Sequence, residues 1–104
     1  MTRRFSRRLS AKVDANHAEI VKAFRELGAS VESTAPIGKG FPDLIVGYRG
    51  LNYLVEVKDP DKPPSGRKLT PDQETFFCHW AGQKCIVQTQ QDCVDLLLGD
   101  LCHK

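Results

Sequence analysis

Asp43, Glu56 and Lys58 stand inside two of the most apolar runs of the chain, PDLIVGY and LNYLVEVK. Unpaired charge buried in such runs is strongly unfavourable, so the pattern calls for something that compensates it. Both runs have strand character, and Arg49-Gly50-Leu51 between them reads as a turn, which predicts an antiparallel hairpin. Counting outward from Gly50, Asp43 lies 7 residues back, and Glu56 and Lys58 lie 6 and 8 residues on. Antiparallel pairing therefore gathers all three at the open end of the hairpin. Alternation along the strand points Glu56 and Lys58 to one face and Val55 and Val57 to the other.

Two carboxylates held together in a half-buried site repel, and one stays protonated at neutral pH unless a cation joins them. A hard divalent ion, Mg²⁺ or Mn²⁺, takes oxygen ligands and leaves positions for water and phosphate. The chemistry that follows is phosphodiester hydrolysis, with polarisation of a phosphoryl oxygen and activation of water. Lys58 beside such an ion can hold the attacking water and offset charge developing on the phosphate. The competing reading makes Asp43 a turn residue and Glu56 and Lys58 an edge-strand pair that guards against aggregation. The alignment of all three at one end of the hairpin favours the site.

Pro42-Asp43 followed after twelve residues by Glu56-Val57-Lys58 resembles the PD-(D/E)XK nuclease superfamily. Within it, the G-F-P-D-L opening, V-E-V-K and L-T-P-D-Q are similar to the virus-type replication-repair nuclease (VRR-NUC) family, over about residues 14–98. The resemblance implies a metal held by Asp43, Glu56 and the Val57 carbonyl, with Lys58 as the catalytic lysine. It also implies an acidic residue on the first helix, for which Glu19 fits better than Glu26, and a glutamine role for Gln73. Each of the last two has a bland alternative: Glu19 as a solvated helix-flank acid, Gln73 as a helix cap. The substrate implied is branched DNA, such as a Holliday junction, cut by a homodimer with two active sites.

Elements that position these residues are legible on either side. Residues 14–27 read as a helix, with apolar positions 13, 20, 24 and 27 at helical period, Asp14 or Asn16 as a cap, and Gly28 as a stop. A short strand is expected over 30–34, then a glycine loop, then the hairpin strands 44–48 and 52–58. DPDKPPSGRKL, residues 59–69, reads as an exposed and mobile loop. TPDQ supplies a capping box opening a helix from Thr70 to about Ala81. A fourth strand over 84–88 and a helix over about 90–98 complete the order α-β-β-β-α-β-α. The fold class expected is α/β, a PD-(D/E)XK-like core with a central mixed sheet flanked by helices. His17 falls near the apolar stripe of the first helix and reads as a packed histidine, and Phe76, Phe77 and Trp80 read as core or a subunit contact.

The 104 residues suffice for one domain, residues 13–104, preceded by a basic arm over residues 1–12. That arm holds five basic and no acidic residues, whereas the other 92 residues hold 10 basic and 13 acidic ones, for a net charge of +2. A basic arm on a mildly acidic body suits a nucleic-acid backbone. Arg3, Arg4, Arg7, Arg8, Lys39, Arg49, Lys62, Arg67 and Lys68 are the candidate phosphate contacts. No recognition-helix signature points to base readout, so DNA shape is expected to select the substrate. A restriction-type or other duplex endonuclease of the same superfamily, or a non-catalytic DNA-binding module, are the alternatives. Cys78, Cys85, Cys93 and Cys102 contain no C-x-x-C pair, and reduced thiols are expected. No run is long and apolar enough to span a bilayer and no secretory signal opens the chain, so a cytoplasmic protein with no membrane association and no small-molecule cofactor is expected.

Overall fold

A computed structural model describes residues 16–99. Its elements are α1 (residues 16–26), β1 (Ser30–Ser33), β2 (Leu44–Tyr48), β3 (Leu51–Val57), α2 (Pro64–Arg67), α3 (Pro71–His79), β4 (Lys84–Val87) and α4 (Gln90–Leu98). The four strands form one sheet in the order β1-β2-β3-β4, antiparallel except for the β3–β4 pair. The α/β class with a mixed sheet is thus the one the sequence implies. Among the described residues no helix is long and apolar enough to cross a membrane. The basic arm, with Arg3, Arg4, Arg7 and Arg8, and the candidate cap Asp14 lie outside the described residues.

Alternation decides which face is which. Val31, Leu44, Val46, Tyr53, Val55, Cys85 and Val87 are buried on one face, where Ile20, Ala23 and Phe24 of α1 and Cys93, Leu96 and Leu97 of α4 complete the main core. Leu54 and Glu56 alternate to the opposite face and are buried there as well. β4 leaves a helix and returns beside β3, so their pairing is parallel, and the Lys58 N–H extends the ladder by donating to the Val87 carbonyl at 3.0 Å.

The hairpin turn is tighter than expected. Tyr48 pairs with Leu51, leaving only Arg49 and Gly50 in the loop, at φ 53° and 81°. Two positive φ values are what a two-residue turn matching the strand twist requires. α3 begins with the expected capping box: the Gln73 N–H donates to Thr70 Oγ1 at 3.2 Å, and the Thr70 N–H donates to Gln73 Oε1 at 2.9 Å. The helix ends at His79, earlier than Ala81. A second capping box, Thr89 with Asp92, opens α4.

The structure refines three expectations. The proline-rich stretch after β3 is folded into turns and the single helical turn α2, because Pro63 and Pro64 pre-set the backbone for a helix start. α3 buries none of its residues. Phe76, half-buried, meets Phe41 edge-on at 5.0 Å between ring centroids and stacks on Trp80 at 5.1 Å, and Trp80 is 40% exposed, so these aromatics pack together outside the core, which leaves the subunit contact. Cys78 is an exposed and Cys93 a buried free thiol, whereas Cys85 is disulfide-bonded. Burial pushes the Cys93 thiol up to about 12, which leaves it an inert small hydrophobe.

Gly40 governs how the loop before Asp43 meets α3. Its φ is +82°, and a Cβ there would lie 2.5 Å from the carbonyl oxygen of Asp72. Gly40→Ala is expected to cost roughly 2 kcal/mol or more, on the order of 10 °C in melting temperature. Gly38 shares a positive φ, but a Cβ there would meet nothing within 4 Å, so Gly38→Ala carries the conformational strain alone. Thermal unfolding of the two variants measures the close approach as their difference; equal melting temperatures would show that the approach does not matter.

Candidate active site

The hairpin register sets the acidic pair. Leu44 pairs with Val55, so Asp43, one residue before the strand, stands opposite Glu56. The Asp43 carboxylate does not drift into solvent, because its Oδ2 accepts from the Val57 N–H at 3.0 Å. Glu56 is 3% exposed, the one charged side chain within the buried set of described residues. Its Oε2 accepts from Gln73 Nε2 at 2.9 Å and lies 3.5 Å from Lys58 Nζ, while Oε1 is buried with no hydrogen-bond partner. Lys58 Nζ in turn donates to Gln73 Oε1 at 2.9 Å.

Gln73 therefore does two things at once. Its oxygen accepts from the Thr70 backbone and from Lys58, and its nitrogen donates to Glu56. The cap of α3 and the bond to the site are the same side chain, so the two sequence readings of Gln73 are not exclusive.

Desolvation raises the Glu56 carboxyl from its ordinary 4.5 to about 7, and the neighbouring Asp43 charge adds to the rise; Lys58 pulls the other way and is outweighed. A carboxyl with an orphan oxygen, beside a second carboxylate, is a site suited to a cation with hard oxygen ligands. Among the described residues no group of three or more His, Cys, Asp or Glu side chains is gathered to hold a metal. Two carboxylates with water and substrate oxygens nevertheless meet the usual needs of Mg²⁺.

A cavity of about 310 Å³ opens over this pair and is lined by Asp43, Glu56, Val57, Lys58 and Asp59, by Ser33 and Ala35, by Lys62 and Gly66, and by Asn16 and His17 of α1. Glu19 is exposed and is not among these residues. α1 is rotated so that Ile20 and Phe24 enter the core, and this places residues 16 and 17, not 19, at the cavity. His17 is half-buried in the cavity wall and does not belong to the core. Of the loop cations, Lys62 lines the cavity; Lys39 and Lys68 are exposed; Arg67 has a buried Nε without a partner. Arg49 is at the turn, the far end of β2 from Asp43, with its guanidinium 5.2 Å from the centre of the Tyr48 ring.

Sequence reasoning missed Asn16 as a site residue. Its Nδ2 donates to the carbonyls of Lys58 at 2.9 Å and Gln88 at 3.2 Å, contacts with distant segments. A signal was present: Asn16 precedes buried Ile20 by four residues and so shares its helix face.

The Glu56 shift has a stability consequence. A carboxyl whose folded pKa lies above its unfolded value favours folding while protonated, and that contribution is lost as pH rises from about 4.5 through about 7. In EDTA, Glu56→Gln is expected to melt above the unsubstituted protein at pH 8, by roughly 5 °C or more, with the gap closing toward pH 5. Melting curves across that range check it, and a gap independent of pH would rule out ionisation of Glu56 as its cause.

No family model matches the chain, and no curated protein matches it. Among solved structures, a VRR_NUC domain is similar with a TM-score of 0.50 and 28% identity, over 76% of this chain and 90% of that one. The likeness covers most of the described fold, the hairpin that brings Pro42-Asp43 beside Glu56-Val57-Lys58 being part of it in this chain. Over that span the chain is similar in fold to a VRR_NUC domain.

Proposed function

We propose that the protein is a Mg²⁺- or Mn²⁺-dependent endodeoxyribonuclease selective for branched DNA, such as Holliday junctions, acting as a homodimer. The observation that carries this reading is the buried Glu56 carboxyl, with one orphan oxygen, set opposite Asp43 beside Lys58 at the floor of an open cavity. Asp43 and Glu56, with the Val57 carbonyl, would hold the ion. When bound it supplies Lewis acidity toward a phosphoryl oxygen and lowers the pKa of water.

The remaining work belongs to the side chains. Lys58, held by Gln73 and facing the cavity, orients the attacking water by hydrogen bonding and offsets negative charge on the phosphate as the bond to the nucleophile forms. Gln73 keeps the ammonium and the Glu56 carboxylate in fixed relation, so neither must reorganise during the reaction. The apolar neighbours of Glu56 limit bulk water. Lys62 at the cavity wall, with Lys39, Arg67 and Lys68 near the loops, provides contacts to the phosphate backbone, and the basic arm extends them. Glu19, exposed on α1, would act on DNA or metal only from outside the cavity.

The body is small for a four-way junction, and two-fold symmetry would present two sites to two strands. Paired symmetric cuts would fit that arrangement.

Labelled four-way junctions, flaps and linear duplex, each incubated in Mg²⁺, Mn²⁺ and EDTA, test the activity. Junctions are expected to be cut with metal and not in EDTA, with Asp43→Asn and Glu56→Gln lowering turnover on the order of 100-fold or more. Lys58→Ala is expected to abolish turnover while retaining junction binding. Absence of cutting with either metal, or intact cutting by the two carboxylate variants, would end this reading. Deleting residues 1–10 is expected to weaken binding and to flatten its salt dependence, since fewer counterions are released. A slope unchanged by the deletion would exclude the arm from the DNA contact.

A further inference from the structure

Three chain segments meet at one amide nitrogen. Asn16 Nδ2 donates to the carbonyl of Lys58, at the end of β3, and to the carbonyl of Gln88, just past the end of β4. These partners lie 42 and 72 residues away in sequence. Both N–H bonds of the amide are thereby used, and they go to backbone acceptors at the ends of the parallel strand pair.

The Lys58 residue is held on every other side. Its N–H donates to Val87, and its Nζ bonds Gln73 and lies near Glu56. Gln88 is fixed from its other flank, since its N–H donates to Asp92 Oδ2 at 2.8 Å, in the capping network of α4. The Asn16 amide is the bond that sets the peptide plane after Lys58, where β3 has ended and, among the described residues, no ladder partner on a neighbouring strand continues to fix it. A free peptide plane there would let the Lys58 backbone swing, and with it the ammonium that faces the cavity.

We infer that Asn16 is a positioning residue of the site: it holds the Lys58 and Gln88 carbonyls on one donor group and so fixes the direction from which Lys58 reaches the reacting phosphate. This rests on the nuclease reading above. Asn16 acts through Lys58 and needs its amide donors, which a carboxylate cannot replace. Asn16→Asp keeps the size of the side chain and turns an oxygen against two carbonyl oxygens, so it is the sharpest variant; Asn16→Ala removes the group altogether.

The test combines kinetics on a four-way junction in Mn²⁺ with NMR of the metal-free protein, each variant studied well below its own melting temperature. Expected are a fall in kcat of roughly ten- to hundred-fold in both variants with KM little changed. The Gln73 side-chain amide, which makes no bond to Asn16 but bonds Glu56 and accepts from Lys58, is expected to shift along with the Asp59 and Thr89 backbone amides. If Asn16→Asp retains or exceeds the original kcat, the residue works as an oxygen ligand and the positioning role is wrong. If KM rises in place of a fall in kcat, Asn16 binds DNA and the proposal also fails. Should the unsubstituted protein cut nothing, the nuclease reading falls, while the NMR still decides the clamp: a Gln73 amide unmoved in both variants overturns it.

Discussion

A carboxyl buried opposite another carboxylate is the constraint on which the site depends. Glu56 on β3 cannot move away from Asp43, because their strands are paired, and it has little access to water, because it is 3% exposed. Left alone this arrangement would be unfavourable. The surroundings offset it piece by piece: the Val57 N–H takes one Asp43 oxygen, the Gln73 amide takes one Glu56 oxygen, and Lys58 brings a positive charge within 3.5 Å. One Glu56 oxygen remains without a partner, and the carboxyl responds with a raised pKa. The sheet divides the labour by face. The face carrying Val46, Val55 and Val87 packs α1 and α4 and supplies stability, so the other face can carry charge that would not stabilise a core.

α3 adds a different kind of support. A helix cap is ordinarily a local device that satisfies the first orphan N–H groups. Here the Gln73 side chain that closes the cap also bonds both ends of the Glu56–Lys58 pair. The start of the helix and the geometry of the site are thus one network, and the glycine loop reaches it through the close approach of Gly40 to Asp72.

What the sequence revealed followed from local rules. Alternation and a turn at residues 49 and 50 place Asp43 opposite Glu56 without any knowledge of the rest of the fold, and Thr70-Pro71 with Gln73 announces a helix start. What it concealed depended on packing between distant segments. The rotation of α1 about its axis is set by Ile20 and Phe24 entering the core, and this turns Asn16 and His17 to the cavity and leaves Glu19 exposed. Asn16 read as a cap, and although its spacing from Ile20 marks its helix face, the backbone carbonyls its amide reaches carry no sequence signal of their own. Phe76 and Trp80 have the spacing of a core stripe, yet they lie outside the core, which leaves the subunit contact as the reading of that spacing. Three prolines in residues 59–69 suggested a mobile loop, although two of them pre-form α2.

The bonds of the site also differ in the length of chain they close. Asp43 and Val57 are 14 residues apart, and Gln73 and Lys58 are 15, whereas Asn16 closes spans of 42 and 72 residues. Short loops cost less entropy to close and tend to form first, and long ones wait for the rest of the structure to bring their ends together. The paired carboxylates are therefore a property of an early, local hairpin. The anchored backbone of Lys58 is a property of the finished chain, since its clamp requires the residue that follows β4. The acidic pair is thus held by a local contact, whereas the Lys58 backbone is held by contacts that need distant parts of the chain.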